Sequence, residues 1–486
     1  MVTGAEIDAF GAGMVLRARA LGRAVAAAGR RRVVLHPEAV GIAGLAMAGE
    51  RSGLWAVAAG KLRRGQPAMA AAGDARDRGE QLRLWRELAR AMSSWGDHEP
   101  QLAVPDRATA GLLAESATRF RHHEDPDVRR AAETVWWCFT RRQVAGSHAM
   151  VVLTDVLAEH FAIGHDGGPP DDLRVWLAWV GATDHDDLAG RLERRLAEPP
   201  APHTGAAFDE SLWPKVQRRA AERKERAALA AGTLEGRERQ RAEADIARQA
   251  RNRAAVVKAA LGPVLRHAWA RLYDAWVLMG SDNRPVVAGI ERACRLDAGS
   301  WAAEERRRAG GIPMARRDSP RRAVLELATA QQAAEWWRGA LVWDDPVERA
   351  RAVFAGVALS GVVVGADGSD VVVSTTARVL RVRPGDELVD GSGGGRTSYV
   401  GGEGSEEAGG RTVELQVTDG PVPGEGSHVE LLPPPARDAW RVGRLAKRLA
   451  RDHWVLGGAP PAAGRPAGPD GTALIDAVEA LGRAGA

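Results

Sequence analysis

At 486 residues, with 67 Lys and Arg against 63 Asp and Glu and a formal net charge of +4, the chain is longer than a single hydrophobic core usually grows, so two to four domains are expected. Hydrophobic residues at 45% and charged residues at 27% exclude a disordered or membrane-embedded composition, and the Ala, Arg and Gly bias reads as that of a high-GC bacterial genome. The longest uncharged apolar run, residues 352–366, falls short of the ~20 residues a spanning helix needs. Two cysteines, Cys138 and Cys294, support neither a disulfide scaffold nor a Cys-based zinc site.

In chain order, the N-terminal stretch carries Glu6 and Asp8 early and Arg17, Arg19 and Arg23 on its apolar face, which interrupts any secretion-signal core; a cytoplasmic protein is expected. Residues 1–200 read as a run of short helices. Leu82, Leu84, Trp85, Leu88 and Met92 stand near helical spacing. Asp125 precedes Pro126, and Asp345 precedes Pro346, an N-cap followed by proline at the first helical position. The tryptophans at 136, 137, 176, 179, 336 and 337 lie in helical stretches and are assigned to packing.

Glu198 to Gly205, EPPAPHTG, reads as a linker. A second helical domain, residues 207–358, is expected after it, with a protruding, coiled-coil-like basic hairpin over 213–260. Gly262-Pro263 should break or kink its second arm. From 359 to 436 the pattern turns to strands, with turns at Asp367-Gly368 and Arg383-Pro384-Gly385-Asp386 and alternation in RTVELQVTD. Five or six strands make a small barrel of OB or SH3 type, with GSGGG and GGEGSEEAGG as loops. Residues 437–486 are read as a basic helix and a Pro/Gly tail. The fold class is therefore mainly α and multidomain, with one small all-β barrel near the C-terminus.

A nucleic-acid barrel combines a positive groove with aromatic faces. Between residues 361 and 436 there are five basic and twelve acidic side chains, and Tyr399 is the sole aromatic. The barrel is expected to repel phosphate. Residues 215–322 instead carry 25 Lys or Arg against 13 Asp or Glu. Candidate contacts are Arg218, Arg219, Arg223, Arg237, Arg239, Arg241, Arg248 and Arg251 of the hairpin, with Arg307, Arg316, Arg317 and Arg321 from two further basic loops. The plain alternative is a thinly apolar helix pair kept in solution by its charge.

The expected role is a non-enzymatic binding or scaffold protein acting on nucleic acid or on an acidic protein surface, with no membrane partner and no cofactor. One enzymatic alternative uses the clusters FRHHED, EHFAIGHD and ATDHDD. Their vocabulary is similar to that of the HD-type helical metal phosphohydrolases, and the resemblance implies His123, His160, His165 and Asp166 as metal ligands. His165-Asp166 departs from that pattern by standing before Gly-Gly-Pro-Pro, and polar residues at helix ends are expected as caps. No Walker, SxxK, HExxH or CxxC motif occurs.

Overall fold

The computed structural model describes residues 4–27, 29–47, 53–93, 99–166, 170–216, 227, 231–232, 236–314, 320–377, 379–391, 397–407 and 410–434. The expected basic helix and tail, 437–486, lie outside them. Residues 1–314 and 333–437 form one compact unit, and 315–332 with 438–486 form another.

The chain opens with α1 (Gly4–Leu21), β1 (Val25–Ala26), β2 (Val40–Leu45), β3 (Ala56–Lys61), β4 (Ala68–Ala71), α2 (Arg78–Met92), β5 (Leu102–Val104), α3 (Arg107–Phe120), α4 (Pro126–Arg141), β6 (Met150–Val152), α5 (Leu153–His160), β7 (Phe161–Ala162), α6 (Leu173–Gly181) and α7 (His185–Leu196). The reading of residues 1–200 as helices alone is corrected here. Strands β2 to β6 form a five-stranded sheet in the order β4-β3-β2-β5-β6. The β2–β3 and β3–β4 pairs are antiparallel, whereas β2–β5 and β5–β6 are parallel. These strands escaped the pattern search for a physical reason. All six residues of β2 are buried, so polar and apolar positions do not alternate, and alanine and glycine fill places where β-branched residues would have marked a strand.

The N-caps behave as their sequences require. The Asp125 carboxylate accepts from the backbone of Asp127 and Val128 ahead of α4. Asp106 and Asp184 cap α3 and α7 in the same way.

Beyond a π-helical turn (Ala207–Leu212) come α8 (Arg237–Gly280), α9 (Ile290–Ala309), α10 (Pro320–Asp344) and α11 (Pro346–Phe354). The segment 198–205 does not behave as a free linker. Thr204 is buried, its backbone N–H donates to the Ala46 carbonyl at 2.9 Å, and Glu198 receives the buried Arg271 guanidinium at 2.8 Å. One hydrophobic core then spans both sides of it, joining Trp55, Trp176 and Trp179 to Phe208, Trp213 and the inner face of α8. Trp55 meets Phe208 and Trp213 edge-on at 5.5 and 4.4 Å. The prolines stop a helix, but the backbone between them is held by the end of β2.

Residues 359–432 carry β8 (Leu359–Asp367), β9 (Asp370–Thr375), β10 (Glu387–Asp390), β11 (Ser398–Glu407), β12 (Gly410–Asp419) and β13 (His428–Leu432), closed into an antiparallel barrel in the order β10-β11-β12-β9-β8-β13. Gly368 turns β8 into β9 at φ +60°, a conformation glycine adopts without steric cost. GGEGSEE is corrected from loop to strand: Gly404, Ser405 and Glu406 pair with Val413, Thr412 and Arg411 across the β11–β12 ladder. The GSGGG stretch, residues 391–395, lies outside the description from 392 on. Tyr399 is 1% exposed inside the barrel, and burial together with the nearby Asp390 charge pushes its phenol up to about 12. The barrel's sole aromatic therefore offers no face for a base.

Among the described residues no helix is long and apolar enough to cross a membrane.

Candidate nucleic-acid interface

Helix α8 runs unbroken for 44 residues with Pro263 inside it, so the expected break at Gly262-Pro263 is corrected. The packing accounts for its persistence. Val257, Leu261, Leu265, Ala268, Leu272, Ala275 and Met279 are all buried at steps of three and four, one continuous inner stripe that passes Pro263 without using it. The sheet admits this stripe where it has no side chains. A Cβ on Gly41 would fall 2.8 Å from the Leu272 side chain, and one on Gly73 would fall 2.9 Å from the Ala254 backbone. Burial across the proline offsets the hydrogen bond it removes.

Continuity of the helix sets the register of its charges. At 100° per residue, Arg237, Arg241, Arg248, Arg251, Lys258 and Arg266 fall within an arc of about 100° over about 43 Å of axis. All six are exposed. Every acidic residue of α8, Glu238, Glu243, Asp245 and Asp274, lies outside that arc. Arg239, among the residues singled out from sequence, is on another face and pairs with Glu243 at 3.1 Å. Asp245 reaches Arg248 at 2.7 Å from the edge of the arc, an exposed pair that polyanion competition readily opens.

Lys258 and Arg266 complete the arc and were not among the sequence candidates. A helical wheel drawn from Arg237 finds Lys258, and extending it through Pro263 would have found Arg266.

The remaining candidates separate. Arg237, Arg241, Arg248 and Arg251 share the arc. Arg218, Arg219, Arg223, Arg316 and Arg317 lie outside the described residues, as does most of the hairpin's first arm; Arg321 lies in the first turn of α10, its side chain outside the description. Arg307 is a correction. Residues 306–308 form the last turn of α9, not a loop, and the Arg307 guanidinium points inward to Glu304 at 2.6 Å and Glu133 at 3.0 Å. The bond to Glu304 and the charges of both carboxylates hold its pKa above the usual arginine value. A guanidinium so occupied is not offered to a partner.

The histidines and the aspartate of the metal alternative are engaged one by one. His123 accepts from the Asp125 backbone at 3.1 Å beside the Phe120 ring. His160 is buried between the Val156 carbonyl and Asp282, and burial lowers its pKa. His165 is exposed in the loop after β7, where Asp166 pairs with Arg19. Among the described residues no three His, Cys, Asp or Glu side chains converge as a metal site.

The fold and this helix define a mixed α/β body with an attached antiparallel barrel and a long basic helix laid across the sheet. Comparison with protein-family models, curated proteins and solved structures finds no match to this chain.

Proposed function

We propose that the protein binds nucleic acid through the acid-free basic arc of α8, contacting the phosphate backbone without reading sequence. The observation that carries this is the placement of six exposed Lys and Arg side chains on one face, with the four acidic residues of the helix rooted outside it and Asp245 alone reaching in, to Arg248. A helix kept soluble by charge alone has no need to sort its charges by sign. Spread over about 43 Å, the arc matches a run of phosphates and gains from counterion release. Residues 237–266 contain no aromatic side chain, so stacking on unpaired bases contributes nothing there and a duplex is the better ligand. The acidic barrel takes no part in the contact.

The test is a salt titration of the full chain with generic duplex DNA and RNA. If all six side chains meet phosphates, the log–log slope on B-DNA is about −5. Absence of binding at ~50 mM salt, where phosphate contacts are least screened, overturns the reading and leaves the arc to an acidic protein surface.

A further inference from the structure

One cluster of nucleophilic and titratable side chains stands apart from α8. His36, Glu99, Gln101, His148, Cys294 and Asp297 line a small open depression of about 10 Å³, room for about one water-sized molecule. Cys294 comes from the second turn of α9 and His148 from the segment entering β6. The Cys294 thiol lies 3.8 Å from His148 Nδ1, and His148 Nε2 lies 3.3 Å from the Arg32 carbonyl oxygen. A carbonyl can only accept, so Nε2 carries the proton in the neutral ring. Nδ1 is left with a lone pair facing the thiol. The ring is fixed from behind as well: the His148 backbone N–H donates to Asp297 at 2.8 Å, and Asp297 is held by Arg141 at 2.5 Å and by Ser147 at 2.8 Å. This is a base, an orienting group and a half-buried nucleophile at the wall of a cavity, the arrangement that activates a thiol.

We infer that Cys294 and His148 form a thiol–imidazole dyad in which His148 acts as general base and Cys294 reacts with a hydroperoxide. The cavity's own charges select the electrophile. Glu99 and Asp297 disfavour an anion, and the small opening admits only a small, uncharged molecule. In the step, Cys294 Sγ attacks one peroxide oxygen while its proton passes to His148 Nδ1. The S–O bond forms and the O–O bond breaks. The departing hydroxide takes the proton from the imidazole and leaves as water; sulfur is oxidised to a sulfenic acid and the peroxide is reduced. Burial and the charges of Asp297, Glu99 and Glu291 raise the thiol's pKa, and burial lowers that of His148. The resting pair is thus neutral, and reactivity depends on transfer to the base.

The experiment follows oxidation of Cys294 by hydrogen peroxide in the full chain between pH 5 and 10, trapping the sulfenic acid with dimedone and reading the mass of the Cys294 peptide. The fully buried Cys138 is the internal control. With the dyad, the rate depends on neutral imidazole: because burial lowers the His148 pKa, it falls only on the acid side of 6.5, and it is flat within about two-fold from pH 7 to 9. His148→Asn keeps a donor for the Arg32 carbonyl, removes the base, and lowers the pH 7 rate at least ~10-fold. A rate that climbs about ten-fold per pH unit up to ~8.5 in the wild type, as for an unassisted thiol, overturns the dyad even if the variant fails to fold. So does a His148→Asn rate equal to wild type, or no oxidation of Cys294 at any pH.

Discussion

The Arg307 guanidinium lies 3.0 Å from the Glu133 carboxylate, across 174 positions of sequence, and Arg308 meets the same carboxylate at 2.9 Å. Glu133 is 4% exposed, so α4 and the end of α9 are joined by a buried carboxylate between two cations. Changing Glu133→Ala removes the carboxylate shared by the two guanidinium groups but leaves Glu304 on Arg307 and Glu305 on Arg308, so a loss on the order of 1–2 kcal/mol is expected. Urea unfolding measures it. Arg307→Gln should also destabilise, yet leave the salt slope for duplex DNA unchanged. A lower slope in Arg307→Gln would return that residue to the interface.

Charge position on α8 is expected to matter more than charge number. Arg241→Gln, Arg248→Gln and Arg251→Gln together should lower the slope by roughly 2.7 on duplex, at about 0.9 per lost phosphate contact. The pair Arg239→Gln and Arg253→Gln removes charge from another face and should change it by less than about 1. Gln stays close to Arg in helix propensity, so circular dichroism should be unaltered in both sets. Equal effects from the two sets would mean that the arc has no role as a surface.

Asp106 provides a pH test. It accepts from the Thr109 backbone N–H at 2.6 Å and is 2% exposed; burial, together with the charges of Asp171 and Asp172, raises its pKa to about 7. A raised folded-state pKa gives a contribution that is full below the unfolded value near 3.8 and lost as pH rises through about 7. Asp106→Asn keeps the capping oxygen without the charge. The variant should therefore match wild type near pH 4 and exceed it at pH 8 by roughly 4 kcal/mol. His148 and His160, whose pKa values are lowered, act in the opposite sense below about 6.5, and taking the difference between variant and wild type cancels them. A constant difference across this range would contradict the assignment.

Because Phe208, Trp213 and α8 complete the core around Trp55, a fragment ending at residue 200 should not fold cooperatively. In the full chain, Trp213→Ala should lower stability by about 3–5 kcal/mol, with unfolding that tryptophan fluorescence and far-ultraviolet circular dichroism report together. A folded fragment with a sharp thermal transition would restore a domain boundary at 198–205.

What could be read locally was read from local chemistry. Asp-Pro caps at 125 and 345, the strand pattern of 359–432 and the basic excess of 215–322 each depend on residues a few positions apart, and the structure contains the caps and a closed barrel. The central sheet was not legible, because β2, β5 and β6, buried on both faces, carry no alternation, and alanine and glycine fill most of β3 and β4. Persistence of α8 through Pro263 was likewise a tertiary decision: the sheet buries Leu261 and Leu265 on either side of the proline, and that burial outweighs the local break. The same holds for the charges. Sequence shows that Arg307 and Arg241 are arginines in a basic region, but only the fold turns one onto Glu133 and leaves the other exposed on the acid-free face, because the direction of a long side chain is set by the packing of the helix that bears it.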